Sequence, residues 1–405
     1  MIDWRAALLV ALLAAGSPAR AQSPAAADVP AALRPAVSAY RAGDLAAAEA
    51  ALKPLAPGNP EAEAWLGAIL LDRGQGREGL RAIQRAADAG AIEGYHRLAL
   101  VYALGLAGQA RNEAKAVELF EKAATAGNPR AQVNLGILYL RGQGVPRDLV
   151  SARAWLEKAA AGGDPQAMYT LGRALDEGTD MVPADPVRAA DLYRRAAEKG
   201  HALAGLRYGL ALSEGFGIKR DVATGQRWLV QAQENGVPEA ALALGDQIAR
   251  LPPGRDKAAN ERNVQTAVKW FDVAAKGGVP SAQFKLANAY FAGVGIGRDP
   301  AQAEYWYGRA AAQGLPQAQH ALGIMMMGGV NGTADPVQGY KWLLLAEKAG
   351  HPDARAVRAK SAERLPEKDR KQAEALAQKF TPTFERPIDD ATVVRPVTAV
   401  PPTGR

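Results

Sequence analysis

One arrangement of apolar, small and polar residues recurs along the chain about every 36 residues. A Leu-Gly pair or a close variant of it begins at Leu66, Leu98, Leu135, Leu171, Tyr208, Leu244, Leu286 and Leu322. Each copy closes with an alanine-rich stretch that ends in glycine, such as EKAATAG or GRAAAQG. Eight copies at this spacing predict a protein built from stacked helical repeats.

The third copy shows which elements the pattern predicts. Ala131, Leu135 and Tyr139 follow one another at four-residue spacing, which places them on one face of a helix. Pro129 suits the first turn of that helix. The small residue Gly136 lies beside the stripe and allows a neighbouring helix to approach closely.

A second helix is predicted to follow in the same copy. Asp148 stands where this helix begins, and its side chain is suited to capping free backbone N–H groups. Ala152, Trp155 and Ala159 form its predicted inward stripe. One hairpin of two helices cannot bury both stripes alone, so neighbouring copies are expected to stack on each other.

The glycines between the two helices, Gly142 and Gly144 in GQGVPRD, are compatible with two roles. A Gly-x-Gly in front of a helix can hold a phosphate, but a dinucleotide fingerprint follows a strand, and the pattern predicts none here. The same glycines recur as GQG, GFG and GVGIG in other copies. We therefore expect turns in which glycine ends the first helix of each hairpin.

The repeated pattern resembles the Sel1-like repeat family, which is related to the tetratricopeptide repeats. The resemblance extends over residues 60–350 and is most specific in the third, seventh and eighth copies. It implies an all-α fold, namely a right-handed α/α solenoid of helix–turn–helix repeats. It also implies an adaptor that assembles or regulates envelope complexes.

The first residues have the features of a secretion signal. A weakly basic start precedes the apolar run Ala6–Gly16, and the small residues of ARA predict cleavage after Ala21. This run is shorter than the roughly 20 residues that span a bilayer, so we expect a periplasmic or secreted protein without a stable membrane span. Retention of the segment as an anchor stays open.

Composition and repeat together predict six segments. They are a signal peptide (1–21), a flexible linker (22–30), a tetratricopeptide-like N-terminal capping hairpin (31–58), eight Sel1-like repeats (59–350), a C-terminal capping helix region (351–380) and a Pro-rich disordered tail (381–405). The sixth repeat carries the insertion RLPPGRDKAANERNV, which we expect to lengthen a loop. Whether the loop around 252–263 contacts a partner stays open.

Charge and residue types exclude several functions. The formal charge of +7 is spread among mixed basic and acidic residues, which argues against nucleic-acid binding. The chain has no cysteine, and the hydrolase activity toward β-lactams in this family belongs to Cys-rich relatives. Its four histidines, His96, His201, His320 and His351, lie in different copies and outside any GxSxG or HExxH motif. We predict no catalytic, cofactor-binding or metal-binding residues.

Five tryptophans share one position of the second helix, and two interpretations compete for them. They are Trp155, Trp228, Trp270, Trp306 and Trp342. A ladder of aromatic rings would suit a glycan, but the position coincides with the predicted inward stripe. We therefore expect these side chains to pack between hairpins.

Polar residues vary from copy to copy on the first helix, away from the apolar stripe, which suggests contact with solvent or a ligand. We select a partner-binding set there: Arg97, Asn134, Arg173, Arg207, Asp246, Lys285, Asn288 and His320. The function expected from them is a non-catalytic scaffold that binds envelope proteins along the concave face of the solenoid. A glycan-binding protein that organises peptidoglycan or exopolysaccharide is the alternative, and a β-lactamase-like hydrolase is the third hypothesis.

Overall fold

The structure is a computed structural model that describes residues 29–178, 183–332 and 334–385. The predicted signal peptide, most of the predicted linker and residues 386–405 lie outside the described residues. The chain divides into two compact units, Met1–Gly225 and Gln226–Arg405, which we call unit 1 and unit 2.

The described residues contain no strand and form helices throughout both units. After a short 3-10 turn at Ala31–Leu33 come α1 (Arg34–Arg41), α2 (Leu45–Leu52), α3 (Pro60–Asp72), α4 (Gly76–Asp88), α5 (Ile92–Leu104), α6 (Glu113–Thr125), α7 (Pro129–Arg141), α8 (Leu149–Ala161), α9 (Pro165–Glu177), α10 (Pro186–Glu198), α11 (Ala202–Glu214), α12 (Val222–Glu234), α13 (Pro238–Ala249), α14 (Lys257–Lys276), α15 (Pro280–Ala292), α16 (Pro300–Ala312), α17 (Pro316–Gly328), α18 (Pro336–Lys348), α19 (Ala354–Arg364) and α20 (Glu367–Gln378). Consecutive helices pair into hairpins, and each hairpin packs on the next within its unit. The predicted fold class, an all-α solenoid of helix–turn–helix repeats, is confirmed.

Side-chain caps decide where many of these helices begin. The Asn128 carboxamide accepts a hydrogen bond from the Ala131 N–H at the start of α7. The Asp148 carboxylate accepts from Val150 and Ser151 at the start of α8, as predicted. Each cap satisfies N–H groups that have no partner within the helix.

The turn between α7 and α8 shows why glycine is required there. Gly142 ends α7 in the left-handed conformation with φ 68°, and Gly144 has φ 72°. A Cβ on Gly144 would lie 2.6 Å from the backbone carbonyl of Glu113, so the main chain passes there in close contact. The glycine pair is therefore a turn that fits against the preceding hairpin, as predicted.

The two helices of a hairpin meet at the glycine of the Leu-Gly pair. A Cβ added to Gly136 would lie 2.8 Å from Cγ of Leu156 and 3.1 Å from the Ala152 carbonyl oxygen. The same relationship holds in unit 2, where a Cβ on Gly323 would lie 2.8 Å from Cγ of Leu343. The prediction that a small residue permits close helix approach is confirmed.

The predicted inward stripe of the second helix is confirmed at Ala152 and Ala159, which are buried, and wrong at Trp155. Trp155 is only half-buried, whereas Leu156 is 1% exposed and faces α7. Trp228 and Trp270 are half-buried as well, while Trp306 and Trp342 are buried. Successive helix residues point about 100° apart, so the residue after the tryptophan takes the central contact and the tryptophan lies at its edge.

The start of the predicted disordered tail is ordered in the structure. Before it, in the predicted capping region, two helices, α19 and α20, follow the last hairpin of unit 2, and Leu365 and Ala373 are buried against that hairpin. Residues 381–385, which we predicted to be disordered, are held on unit 2 by hydrogen bonds and an ion pair. The prediction is wrong for these five residues, because the contacts that hold them come from distant parts of the chain.

Candidate binding surfaces

The predicted partner-binding residues Arg97 and Asn134 lie inside unit 1. The Arg97 side chain is 11% exposed, with Nε 2.6 Å from the Glu93 carboxylate and the guanidinium 4.3 Å from the centre of the Trp65 ring. Asn134 is 7% exposed, and its carboxamide nitrogen lies 3.4 Å from Nε2 of His96. The exposure that we assumed for Arg97 and Asn134 is wrong, because helix packing encloses both.

Charge neutralisation accounts for the burial of Glu93 and His96. Burial by itself raises the pKa of the Glu93 carboxyl, but Arg97, His96 and Arg130 together outweigh it and hold that pKa well below its ordinary value. Burial also lowers the pKa of His96, although Glu93 lies 3.6 Å from its Nδ1. The cluster is therefore a buried ion pair beside a neutral imidazole, in which Nδ1 of His96 and Nη2 of Arg97 make no hydrogen bond.

Arg173 and Arg207 lie on α9 and α11, and the Arg173 side chain is more accessible than that of Arg97. The Arg173 guanidinium pairs with Glu177 one turn later at 2.8 Å, with side-chain exposures of 24% and 55%. Asp176 accepts a hydrogen bond from the Tyr193 hydroxyl at 3.2 Å. Burial raises the pKa of the Asp176 carboxyl, and the Arg207 charge opposes that rise. This part of unit 1 has partly exposed cations.

His201 acts as a helix cap. Its Nδ1 accepts a hydrogen bond from the Ala204 N–H at the start of α11, at 3.1 Å. Because Nδ1 accepts, the proton is on Nε2, which donates to the Gln166 side chain at 3.1 Å. The ring stacks on Tyr169 with centroids 4.7 Å apart, and burial lowers the pKa of His201 to about 4. These contacts require the neutral imidazole.

The predicted residues of unit 2 form two polar contacts on the first helices. Lys285 on α15 pairs with Asp246 on α13 at 3.0 Å, with side-chain exposures of 39% and 25%. Asn288 is exposed, and its Oδ1 accepts a hydrogen bond from the Tyr307 hydroxyl at 2.5 Å. The fold thus brings Lys285 and Asp246 together, although they come from different copies of the repeat.

His320 lies on α17, the first helix of the next hairpin. Its ring stacks on that of His351, with centroids 4.1 Å apart and planes 16° apart. Burial lowers the pKa of His320, and the nearby His351 adds to that effect. Asp353 follows His351 and donates its N–H to Nδ1 of that ring at 3.3 Å. The two histidines come together only through the fold.

The C-terminal segment Phe380–Glu385 occupies a groove on unit 2 that the sequence analysis missed. The Glu385 carboxylate pairs with the guanidinium of Arg309 on α16, with Oε1 2.7 Å from Nε. It also accepts from Nε2 of Gln283 on α15 at 2.9 Å. Gln283 was visible in the sequence only as a polar residue in an apolar stripe, which by itself identifies no partner.

A second cleft on unit 2 is aromatic. Its volume is about 480 Å³, and its lining includes Tyr305, Trp342, Glu304, Asn331 and Gln338. Tyr305 is 54% exposed and meets Trp306 edge-on with ring centroids 5.1 Å apart. Aromatic rings together with carboxamides and a carboxylate are side chains that can bind a sugar.

The predicted loop insertion of the sixth copy is partly helical. Helix α14 begins at Lys257, so the residues after it add turns to the helix. Asn260 joins helix and loop, since its side chain donates to the Gly254 carbonyl at 2.9 Å and accepts from the Gly254 N–H at 2.8 Å. Only the part before Lys257 is an extra loop.

Across the described ranges, no three His, Asp or Glu side chains come together in a way that could hold a metal ion. No helix in these ranges combines the length and the apolar character needed to cross a bilayer.

The sequence profile of the Sel1 repeat matches more than half of the chain. The matched stretches are 92–128, 129–164, 165–201, 203–237, 261–279, 280–315 and 316–351. The first predicted copy, in residues 59–91, lies outside the matched stretches but folds as the hairpin of α3 and α4.

Two solved structures resemble the chain over most of its length. One is a protective antigen present in uropathogenic Escherichia coli strains and displaying an SLR fold; it is 26% identical with a TM-score of 0.64, covering 85% of this chain and 79% of that one. The other is a Sel1 repeat protein from Oxalobacter formigenes, 29% identical with a TM-score of 0.59, covering 76% and 88%.

Two curated relatives share shorter regions with the chain. Chitin synthase regulatory factor 3 of Schizosaccharomyces pombe is 27% identical over 222 residues, which are 44% of this chain and 24% of that protein. The ERAD-associated E3 ubiquitin-protein ligase component HRD3A of Arabidopsis thaliana is 35% identical over 78 residues, 19% and 12% respectively. The chain thus spans about a quarter or less of either relative.

Proposed function

The chain belongs to the Sel1 repeat family, and we propose that it is a non-catalytic scaffold for protein–protein interaction. The names of the two curated relatives describe a regulatory factor and a ligase component. From them we transfer to this chain only the role of an accessory protein that acts together with others.

The observation that carries this proposal is the exposure and the weak pairing of charged residues on the first helix of several hairpins. Arg173 on unit 1 and Lys285 with Asp246 on unit 2 have side chains that are 24–39% exposed and are held by single ion pairs. Exposed ion pairs contribute only about 0–1 kcal/mol. A partner's charges can therefore replace those of Glu177 or Asp246 at little cost, and the helices that present them need no rearrangement.

We infer that the partner is an envelope protein, on the basis of the predicted signal peptide at 1–21, which lies outside the described residues. An exported scaffold of this kind would meet its partner in the periplasm or outside the cell.

Site-specific photo-crosslinking in the native cell tests the scaffold. A photoreactive residue at position 173 or 285 should give the same discrete protein adduct. Position 134, which is buried, is the matched control and should give none. Charge reversal of Lys285 with the photoreactive residue at 173, or of Arg173 with it at 285, should leave helicity unchanged and change the melting temperature only slightly, but remove the adduct. An adduct that survives charge reversal would refute these first-helix residues as the contact.

Glycan binding is the second candidate function, and the aromatic cleft on unit 2 favours it. Tyr305, which is 54% exposed, lines this cleft together with Asn331 and Gln338, and an exposed aromatic face suits stacking on a sugar ring. Co-sedimentation with purified peptidoglycan sacculi tests it. Wild-type protein should pellet with the sacculi and Tyr305→Ala should remain in solution; equal pelleting of both proteins would count against this cleft.

A further inference from the structure

The segment Phe380–Glu385 lies on unit 2 without forming a helix or strand of its own. At its start the Phe380 ring meets Trp342 edge-on, with centroids 5.4 Å apart. In its middle the Thr383 N–H donates to the carbonyl of Ala312 at 2.9 Å. Ala312 is the last residue of α16, so its carbonyl lacks a partner within the helix and is free to accept this hydrogen bond.

The far end of the segment is anchored by its acidic side chain. The Glu385 carboxylate receives hydrogen bonds from Arg309 and from Nε2 of Gln283, while its backbone N–H donates to Oε1 of Gln313 at 3.3 Å. Arg309 is thus aligned in a two-point ion pair with this carboxylate. An extended segment with one negative charge is held at both ends and in its middle.

The groove is built for a carboxylate by two buried amides. Gln283 is fully buried, and its Oε1 accepts from Nε2 of Gln313 at 2.9 Å. Its own Nε2 therefore supplies both hydrogens as donors, one to the Ala275 carbonyl at 3.2 Å and one to Glu385. Without an acceptor at the position of Glu385, a buried N–H would be left without a partner, which proteins generally avoid.

The corresponding residue of the next copy provides a comparison. Gln319 occupies the same place in α17 and donates to the Ala311 carbonyl at 3.2 Å, as Gln283 donates to Ala275. The Glu385 carboxylate, however, lies beside Gln283. The position of the glutamine in the repeat therefore explains its hydrogen bond to the carbonyl near the end of the preceding helix. Binding of the acidic side chain is explained only by the combination of Gln283 with Arg309 and Gln313.

The segment itself remains accessible to a competitor. Phe384 is 38% exposed, and the Arg309 and Glu385 side chains are 28% and 25% exposed. One partly exposed ion pair and a few hydrogen bonds hold such a short segment weakly, and it gains mainly from being tethered. A segment of similar chemistry from another protein can therefore take its place.

We propose that the groove formed by Gln283, Arg309, Gln313 and Trp342 is an acceptor site for an extended segment of a partner protein that carries an aromatic residue and, five residues later, an acidic side chain. Residues 380–385 occupy the groove until the partner displaces them. This inference rests on the proposed scaffold function and names the chemistry of one partner contact.

Fluorescence anisotropy with a labelled peptide tests the acceptor site. The probe is KFTPTFE, the sequence of residues 379–385, with both ends blocked so that glutamate carries its only negative charge. Full-length protein with Thr383→Pro and Glu385→Ala releases the segment, because proline has no N–H to donate to Ala312. We expect this variant to bind the probe at least about tenfold more tightly than wild type, since the tethered competitor is gone. Glu385→Gln alone is the second variant and should act in the same direction.

One control probe and three control variants assign the binding to the groove. A probe that ends in glutamine should lose at least about tenfold in affinity, because the charge-assisted hydrogen bonds are gone. In the released variant, Arg309→Ala and Gln283→Leu should each abolish binding, whereas the matched Gln319→Leu should not. Equal binding by wild type and by both released variants, or equal affinity for the two probes, would overturn the proposal.

The two proposals can fail separately. Absence of peptide binding with intact adducts at positions 173 and 285 would overturn the acceptor groove alone. Peptide binding without those adducts would instead overturn the proposed contact on the first helices.

Discussion

Nε of Arg97 lies 2.6 Å from the Glu93 carboxylate one helical turn earlier, and both side chains are about nine-tenths buried. The guanidinium also covers the face of the Trp65 ring. Arg97 was selected from the sequence as a partner-binding residue, but this pair joins α5 to its neighbours inside unit 1. We therefore expect the loss of Arg97 to affect the stability of unit 1 first and partner binding only second.

Replacing Arg97 by alanine should destabilise unit 1 by about 3–5 kcal/mol, because Glu93 would be left as a buried charge without its partner. Arg173→Ala is the matched control, since its ion pair with Glu177 is more exposed and contributes about 0–1 kcal/mol. Chemical denaturation of both variants measures the difference. Equal losses would mean that the Arg97 pair is no more important than a surface pair.

The close approach at Gly136 predicts the effect of a single methyl group. Gly136→Ala should cost about 1–3 kcal/mol, because the added Cβ would overlap Leu156. Gly308 on α16 has no atom within 4 Å of an added Cβ. Gly308→Ala should therefore stabilise by about 0.5–1 kcal/mol through its effect on helix entropy. Thermal unfolding should move the two melting temperatures in opposite directions, and a stabilised Gly136→Ala would contradict the packing described here.

Because Leu156 and not Trp155 makes the central contact of α8, we expect a large and a small loss of stability at these adjacent positions. Leu156→Ala removes a side chain that is 1% exposed and should cost about 2–5 kcal/mol. Trp155→Ala, at a half-buried position, should cost about 1 kcal/mol. Trp306 is 6% exposed, so Trp306→Ala should cost about 3–5 kcal/mol. Urea titrations of the three variants test this order. A larger loss of stability from Trp155→Ala than from Leu156→Ala would show that Trp155 makes the central contact, as the sequence predicted.

His201 predicts a dependence of stability on acid. Its folded pKa of about 4 is below the ordinary value of 6.5, so between these values the unfolded chain binds the proton and the folded chain does not. Stability from this residue is present above pH 6.5 and is lost as the pH falls toward 4. Protonation of Nδ1 would also remove the acceptor for the Ala204 N–H.

His201→Asn separates the two roles of this residue. Asparagine caps helices well, as Asn128 does for α7. It does not titrate in this range. The melting temperature of His201→Asn should therefore fall less than that of wild type between pH 7 and pH 4.5. Parallel curves for the two proteins would show that His201 does not contribute to the acid sensitivity.

The predicted secretion signal has a direct chemical test. The chain produced with its own N-terminus in a Gram-negative host should be cleaved after Ala21, and the intact mass of the periplasmic protein should correspond to a start at Gln22. A full-length mass in the membrane fraction would indicate retention as an anchor. Recovery of the full-length protein in the cytoplasm would contradict export.

The sequence alone determined the repeat, the hairpins and the helix ends of the third copy. These features are local: Asp148 caps N–H groups two and three residues away, and Gly142 adopts a backbone conformation that other residues rarely adopt. A residue that acts on its own backbone carries its signal within a few positions, so the period of the sequence is sufficient to place it.

The tertiary structure decided which side chains are available for binding. Whether Trp155 or Leu156 faces α7, and whether Arg97 meets water or Glu93, depends on how neighbouring hairpins pack. Glu385 and Arg309 meet across 76 residues that separate them in the chain, and no spacing in the sequence marks that contact. Such pairs form because the folded helices bring them together, so only the packing of those helices could show where an acidic segment binds.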